Sequence, residues 1–382
     1  MTSPAKHLYI HWPFCSKKCH YCDFVAFQQH ENFQEAYHYK LLQEIAAYTN
    51  SFHQITRPPI DTIFIGGGTP SLYDLAWIGE LFAHLHNHFD LTQIKEITIE
   101  ANPSDIDEEK LEAWRELGIT RISMGVQCLN DDVLIGLNRR QRATDVFRAL
   151  RLIPKYFDNL SIDLILGLPG ISTSEWFATL EQAVTWPIKH ISIYFLTVHE
   201  KTPLYFSVQE GKAVLADDQT MIDMYEQTVH ILEQHGINQY EISNFAKHGF
   251  ASLHNQAYWE RKPYQGFGVG ASSFDGQKRS TNDNNLTRYL QIDTINNSHD
   301  VSRHEILTPQ QELLELLMLG LRQKKGLDLH HVVYFLGSEE KKRFTANLAT
   351  LIQAGLIEQL GSTIRLTLKG MVVENDVVVR LL

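Results

Sequence analysis

Apolar, β-branched runs recur along the first half of the chain, with segments of helical periodicity between them. The runs are HLYIHW (7–12), DTIFIGGG (61–68), EITIEAN (96–102), RISMGVQ (121–127), LSIDLILGLP (160–169) and HISIYFLT (190–197). Their length and composition predict six strands. Between them Phe33 to Tyr48, Leu75 to Phe89, Glu108 to Leu117 and Glu175 to Trp186 carry apolar faces at a 3.6-residue period, and PSDIDEEK and STSE supply cap residues and early acids. Strand alternating with helix means a parallel sheet with crossover helices. Six such units around one axis predict an α/β fold, an incomplete (β/α)6 barrel whose chemistry gathers at the C-terminal ends of the strands. The conspicuous polar and Gly-rich residues fall there: three cysteines after the first strand, GGGTP after the second, Glu100 and Asn102 ending the third, Gln127 after the fourth, and Asp163 with GLP on the fifth.

The pattern changes after about residue 245. GFGVGASSFDGQKRSTNDNN (266–285) has little periodicity and reads as a loop region or lid. From Thr308 onward the text is helical (PQQELLELLMLGLR), followed by GLDLHHVVYFLG, a further helix KKRFTANLATLIQAG and a hairpin-like LIEQLGSTIRLTLKG. Three helices and a small hairpin predict a winged-helix-like α+β domain. The expected division is a barrel over 1–245, a linker or lid over 246–300, and the C-terminal domain over 301–382.

A chain of 382 residues, 43% hydrophobic, can bury one large core or two smaller ones. Four cysteines, three of them clustered, make no disulfide framework, and no apolar leader precedes the cluster, so a cytoplasmic setting is expected. The longest apolar runs, such as Leu313 to Leu321, fall short of the roughly 20 residues that span a bilayer, which restricts any membrane role to peripheral association. A formal charge of -11 argues against nucleic acid as the main partner. The 19 histidines leave room for ligation of a metal or cofactor.

Cys15, Cys19 and Cys22 are spaced C-x3-C-x2-C in the loop leaving the first strand. Zinc in a closed structural site takes four ligands, so it would need His11 or His20 as well. Three thiolates instead suit a cubane 4Fe-4S cluster with one iron left open. The spacing, with Tyr21 just before the last cysteine, resembles the radical S-adenosylmethionine (SAM) superfamily. That resemblance implies that SAM chelates the open iron through its amino and carboxylate groups and that an electron from the cluster cleaves it to a 5'-deoxyadenosyl radical. It also assigns supporting residues. Gly67, Gly68 and Thr69 would let the backbone approach the methionyl end, with Tyr9 beside them. Glu100 would accept from the ammonium, Arg139 would pair with the carboxylate, and Gln127 and Asp163 would bond the ribose. Taken singly, each polar residue is as well explained by a surface or core ion pair. Cys128 reads as a small buried hydrophobe rather than a ligand.

Over nearly the whole chain YIHWPFC, YCDF, IFIGGGTP, TIEANP, RISMGVQ, DLILGLPG and YEISNFA resemble the oxygen-independent coproporphyrinogen III dehydrogenase group. Its dehydrogenase branch carries a longer segment before the cluster and a further cysteine two residues after its last ligand. Here Asp23 and Phe24 follow Cys22, and HNQAYW (254–259) matches the H-N-x-x-Y-W signature of the HemW-type heme chaperone branch. GLNRRQ (136–141) departs from that branch's usual wording, and Cys128 stands where serine is common. The resemblance implies a chaperone that binds heme and passes it to an acceptor protein at or near a membrane surface, with an electron donor such as flavodoxin or ferredoxin if the cluster turns over. The alternative is anaerobic oxidative decarboxylation of coproporphyrinogen III, and whether the protein is an enzyme stays open. A structural iron-sulfur module without turnover is a third reading. Within HNQAYW, His254 is the expected axial ligand of heme iron, although the same residues also read as a capped turn with core aromatics. His7, His11, His20 and His248 are further candidates.

Overall fold

A computed structural model of the chain describes residues 4–52, 57–292 and 302–382. The six expected strands are β1 (His7–Trp12), β2 (Thr62–Gly67), β3 (Glu96–Ala101), β4 (Arg121–Gln127), β5 (Asn159–Leu166) and β6 (His190–Phe195). Each pairs in parallel with the next. Their crossover helices include Gln34–Asn50, Leu75–His88, Glu108–Glu116 and Thr173–Ala183. Local chemistry sets where these begin. Asp74 and Asp107 accept from the free N–H groups of the first turn, and Ser172 with Glu175 forms a reciprocal capping box.

Strand alternation sorts the side chains onto two faces. Leu8, Ile10, Ile63, Ile65, Ile97, Ile99, Ile122 and Met124 are buried in the main hydrophobic core. The alternate positions are polar and face the lumen: His7 and Thr62, Thr98 and Glu100, Arg121 and Ser123, Ser161 and Asp163, His190 and Ser192. Hydrogen bonds across neighbouring strands fix this assignment, since Thr62 bonds His7, Ser123 bonds Asp163 and Ser161 bonds His190.

The sheet is open, and both of its edges are extended. Asn244–Ala246 runs antiparallel to β6. At the other edge Tyr264–Phe267 pairs in parallel with β1, and Ser272–Phe274, Lys278–Asn282 and Ser302–Ile306 follow antiparallel. Half of the Gly-rich stretch 266–285, expected as a loop or lid, is therefore strand. Its composition hides this because few of its side chains are apolar; Gly266 and Gly268 are needed where a Cβ would lie 2.2 Å from the Ser272 carbonyl and 2.3 Å from the Tyr37 hydroxyl. The expected boundary near residue 300 lies outside the described residues. The C-terminal region has the helices Pro309–Leu321 and Ser338–Gln353 and a small antiparallel sheet of Leu327–Asp328, Ile357–Leu360 and Thr363–Leu366. Among the described residues no helix is long and apolar enough to cross a membrane.

Candidate functional site

A cavity of about 550 Å³ opens at the C-terminal ends of the strands. Eleven of the thirteen expected site residues line it: Cys15, Cys19, Cys22, Tyr21, Gly67, Gly68, Thr69, Glu100, Gln127, Arg139 and Asp163. All eleven are half-exposed, so their side chains or backbone face the cavity instead of being packed into the core.

The cysteine loop is fastened at several points. Phe14–Cys15 pairs with Phe27–Gln28, which closes the loop on itself. The His20 N–H donates to the Leu137 carbonyl at 3.0 Å, the His20 ring meets the Gly136 carbonyl at 2.9 Å, and the Asn138 amide donates to the Lys18 carbonyl at 2.9 Å. Polar contacts reach two of the thiols directly: the Thr69 hydroxyl donates to Cys15 Sγ at 3.2 Å, and Arg139 Nη1 donates to Cys19 Sγ at 3.5 Å. Burial pushes the Cys22 thiol up to about 11 and raises Cys15 as well, while the Thr69 hydroxyl and the Arg139 and Lys18 cations pull Cys15 the other way. Thiols so placed ionise when an electropositive group binds them. Among the described residues no three His, Cys, Asp or Glu side chains converge on a single metal ion. The two histidines considered as a fourth zinc ligand are engaged elsewhere, His11 with the Tyr9 hydroxyl and the Val25 carbonyl and His20 with Gly136.

GGGTP makes close approach possible. A Cβ on Gly67 would lie 2.6 Å from the His11 ring, and the residue has φ +116°, while a Cβ on Gly68 would lie 2.6 Å from the Pro13 carbonyl carbon. The Gly67 N–H donates to Glu100 Oε2 at 3.0 Å. Burial, reinforced by the nearby Asp163 charge, pushes the Glu100 carboxyl up to about 7; burial raises Asp163 too. Two carboxyl groups kept from water in this way favour a cationic ligand. Among the described residues Arg139 forms no ion pair with a carboxylate; it is oriented by the Gln141 side chain (2.9 Å) and the Gly125 carbonyl (2.7 Å) and faces the thiols. Gln127 has φ +68° at an irregularity in the β4–β5 register, which turns it toward the cavity.

The other two expected residues lie elsewhere. Tyr9 faces a neighbouring cavity and donates its phenol proton to His11 Nδ1 at 2.9 Å; the His11 Nε2–H is given to the Val25 carbonyl, so the tautomer is set. His254 is 1% exposed at the opposite, N-terminal end of the strands. Its Nδ1 bonds Thr62 Oγ1 at 2.8 Å and its Nε2 bonds the Tyr258 hydroxyl at 2.9 Å, so neither nitrogen is free to take iron in this conformation. The helix Leu253–Trp259 begins on the Glu96 carboxylate, which accepts from Ser252 Oγ, Leu253 N–H and His254 N–H. The capped-turn reading of HNQAYW describes this arrangement.

Several cavity residues escaped the sequence reading. Ser123 and Tyr194 are in phase with polar neighbours on their strands, a period-two signal that was available. Asn138, with φ +61°, and Gln141, fully buried, act through Lys18 and Arg139 and carried no sequence signal of their own.

Residues 9–183 match the model of the radical SAM superfamily, and residues 307–373 match the HemN C-terminal domain. A heme chaperone HemW of Bacillus subtilis is 34% identical over 97% of this chain and 98% of its own length, and a HemW of Synechocystis is 35% identical over 84% and 78%. The chain belongs to the HemW family. Among solved structures, the coproporphyrinogen III oxidase HemN of Escherichia coli, described as a radical SAM enzyme, superposes with TM-score 0.83 at 24% identity over 99% of this chain and 90% of its own, a likeness of fold. The two departures from HemW wording have definite places. GLNRRQ supplies Asn138, Arg139 and Arg140 to the cavity wall, Gln141 holds Arg139 from behind, and Arg140 Nη2 reaches both Asp105 oxygens at 2.8 Å. Cys128 is buried with Leu134, Leu137, Ile165, Leu168 and Leu204, in a cluster behind the cavity wall to which Ile165 and Tyr21 belong.

Proposed function

We propose that this chain is a heme chaperone that binds heme and transfers it to an acceptor protein. The observation that carries this reading is the end-to-end correspondence with the Bacillus subtilis heme chaperone, 97% of one chain against 98% of the other. The cavity supports the cofactor set that the radical SAM superfamily implies. Cys15, Cys19 and Cys22 would hold a 4Fe-4S cluster, and three donors leave one iron for SAM. Glu100 would accept from the SAM ammonium, Arg139 would face its carboxylate, Gln127 and Asp163 would meet the ribose, and Tyr21 and the Gly67–Thr69 backbone would border the methionyl end. When bound, cluster and SAM supply one-electron chemistry. The protein's part is to keep the thiols out of bulk water, to hold Arg139 beside them and to present two carboxyl groups to a cation. Free thiols at Cys15, Cys19 and Cys22 suit a reducing, cytoplasmic setting, from which an acceptor at the inner membrane surface is reachable.

The test is anaerobic reconstitution followed by two parallel assays, hemin titration and conversion of coproporphyrinogen III. Hemin binding without conversion is the expected result. Conversion to protoporphyrinogen IX would place the chain with the dehydrogenases, and neither activity would overturn both readings.

A further inference from the structure

A second cavity of about 640 Å³ adjoins the first and shares Asp23, Phe24, Gly67 and Glu100 with it. It lies between the cysteine loop, the added strands beyond β1 and the helix Pro309–Leu321. Its walls are aromatic: Tyr9, Phe24, Tyr258, Trp259 and Tyr264. Phe24 is 66% exposed at the junction of the two cavities, a large apolar side chain left mostly uncovered by the described residues.

Each wall is held from behind. Tyr258 bonds His254 through its hydroxyl and meets the Tyr264 ring edge to face at 4.5 Å between centroids. Trp259 carries the Arg322 guanidinium over its ring at 4.6 Å, and its buried indole N–H has no partner among the described residues. Tyr264 accepts from Arg279 Nη1 at 3.0 Å. Arg279, on the cavity wall, pairs with Glu315 through two bonds of 2.6 and 2.9 Å, and Arg261 lies 3.4 Å from that same carboxylate. Two guanidinium groups against the Glu315 carboxylate leave one positive charge at this end of the aromatic slot, while the carboxyl groups of its lining, Asp23 and Glu100, lie at the junction with the first cavity.

A ligand complementary to this place is flat, apolar on its faces and anionic at one edge. Heme has that chemistry. We propose that heme lies in this aromatic cavity, its macrocycle against Trp259, Tyr258 and Phe24 and a propionate toward Arg279, with His254 positioning Tyr258 and making no bond to iron. This site rests on the heme-chaperone reading and gives it a location beside the cluster loop.

The experiment titrates the full chain with hemin and with metal-free protoporphyrin IX, following Soret absorption and porphyrin fluorescence, with far-UV circular dichroism as the folding check. The macrocycle and its carboxylates are common to both probes, so the wild type binds both. Trp259→Ala, Arg279→Gln and Phe24→Ala each weaken both by at least about fivefold; Phe24 is exposed, so its variant stays informative even if Trp259→Ala is unstable. His254→Ala lowers affinity for the two probes by the same factor. Unchanged binding of both probes by folded Phe24→Ala and Arg279→Gln overturns the site while leaving the heme reading intact. So does a His254→Ala protein that loses its hemin spectrum but keeps protoporphyrin, because iron would then sit on His254. A wild-type chain that binds neither probe sinks the heme reading itself.

Discussion

Lowering the pH should release SAM, and Glu100 should be the reason. The carboxyl sits between the Gly67 N–H, which favours its charged form, and burial plus the Asp163 charge, which oppose it and prevail, carrying it to about 7 from an ordinary 4.5. A carboxylate that accepts from an ammonium must be ionised. Its ionised fraction falls from about 0.9 at pH 8 to about 0.1 at pH 6, so SAM affinity drops about tenfold, or about 1.4 kcal/mol, across that interval. Equilibrium dialysis of radiolabelled SAM against anaerobically reconstituted protein measures this directly. Titration of SAM itself is common to wild type and Glu100→Gln, so the ratio of their affinities isolates the side chain. The ligand-free protein supplies an independent sign. A folded-state value above the unfolded one gives a stability contribution that is complete below about pH 4.5 and is lost as pH rises through 7. Glu100→Gln should therefore gain stability relative to wild type above pH 7, by up to about 3 kcal/mol. An affinity ratio that stays flat from pH 6 to 8 would refute the reasoning.

Two further outcomes follow from the cavity. Alanine at Cys15, Cys19 or Cys22 should abolish the visible absorption of a reconstituted cluster, and Cys128→Ala should retain it; bleaching by Cys128→Ala alone would show the donor set to be wrong. Gly67→Ala should destabilise the ligand-free protein by about 2 to 4 kcal/mol, because the new Cβ meets a His11 ring held at both nitrogens and the backbone keeps φ +116°; an unchanged Tm would mean that the strand end relaxes freely.

The barrel was legible because two periodicities coincide in it. β-Branched runs alternated with 3.6-residue faces, and the polar residues that broke the apolar runs fell at one end, where the cavity is. The added strands were not legible, since Tyr264–Phe267 and Lys278–Asn282 take their place from pairing with β1 and with each other, and their side chains are small or polar. The role of Arg139 as a neighbour of thiols was only half visible: the residue could be named, but Gln141 and Gly125 aim it, and both act through contacts that no spacing encodes. The surroundings of His254 are hidden from the sequence for a related reason. An imidazole followed by Tyr and Trp matches a heme-binding side chain in composition, whereas its burial comes from Glu96, which is 158 residues earlier in the chain and accepts its N–H.

That placement bears on how any His254 variant is read. His7 and His254 both bond Thr62 Oγ1, and His254 passes the chain of bonds on to Tyr258, whose ring walls the aromatic cavity. Burial, with His7 and Arg121 adding their repulsion, depresses His254 to about 3, so the ring is neutral at every physiological pH and serves as a two-ended hydrogen-bonding spacer. Replacing it with alanine takes the imidazole partner from the Tyr258 hydroxyl, leaves Thr62 with His7 alone and opens a void in the lumen, at a combined cost of about 2 to 5 kcal/mol. Such a loss would slacken Tyr258 and reach Trp259 one residue on, where Arg322 links the cavity wall to Glu241 at 2.5 Å and, at 3.9 Å, to Glu374 of the C-terminal region. Weakened heme binding in a His254 variant is thus the expected consequence of a displaced wall, and a lost iron ligand would have to be demonstrated spectroscopically against metal-free porphyrin.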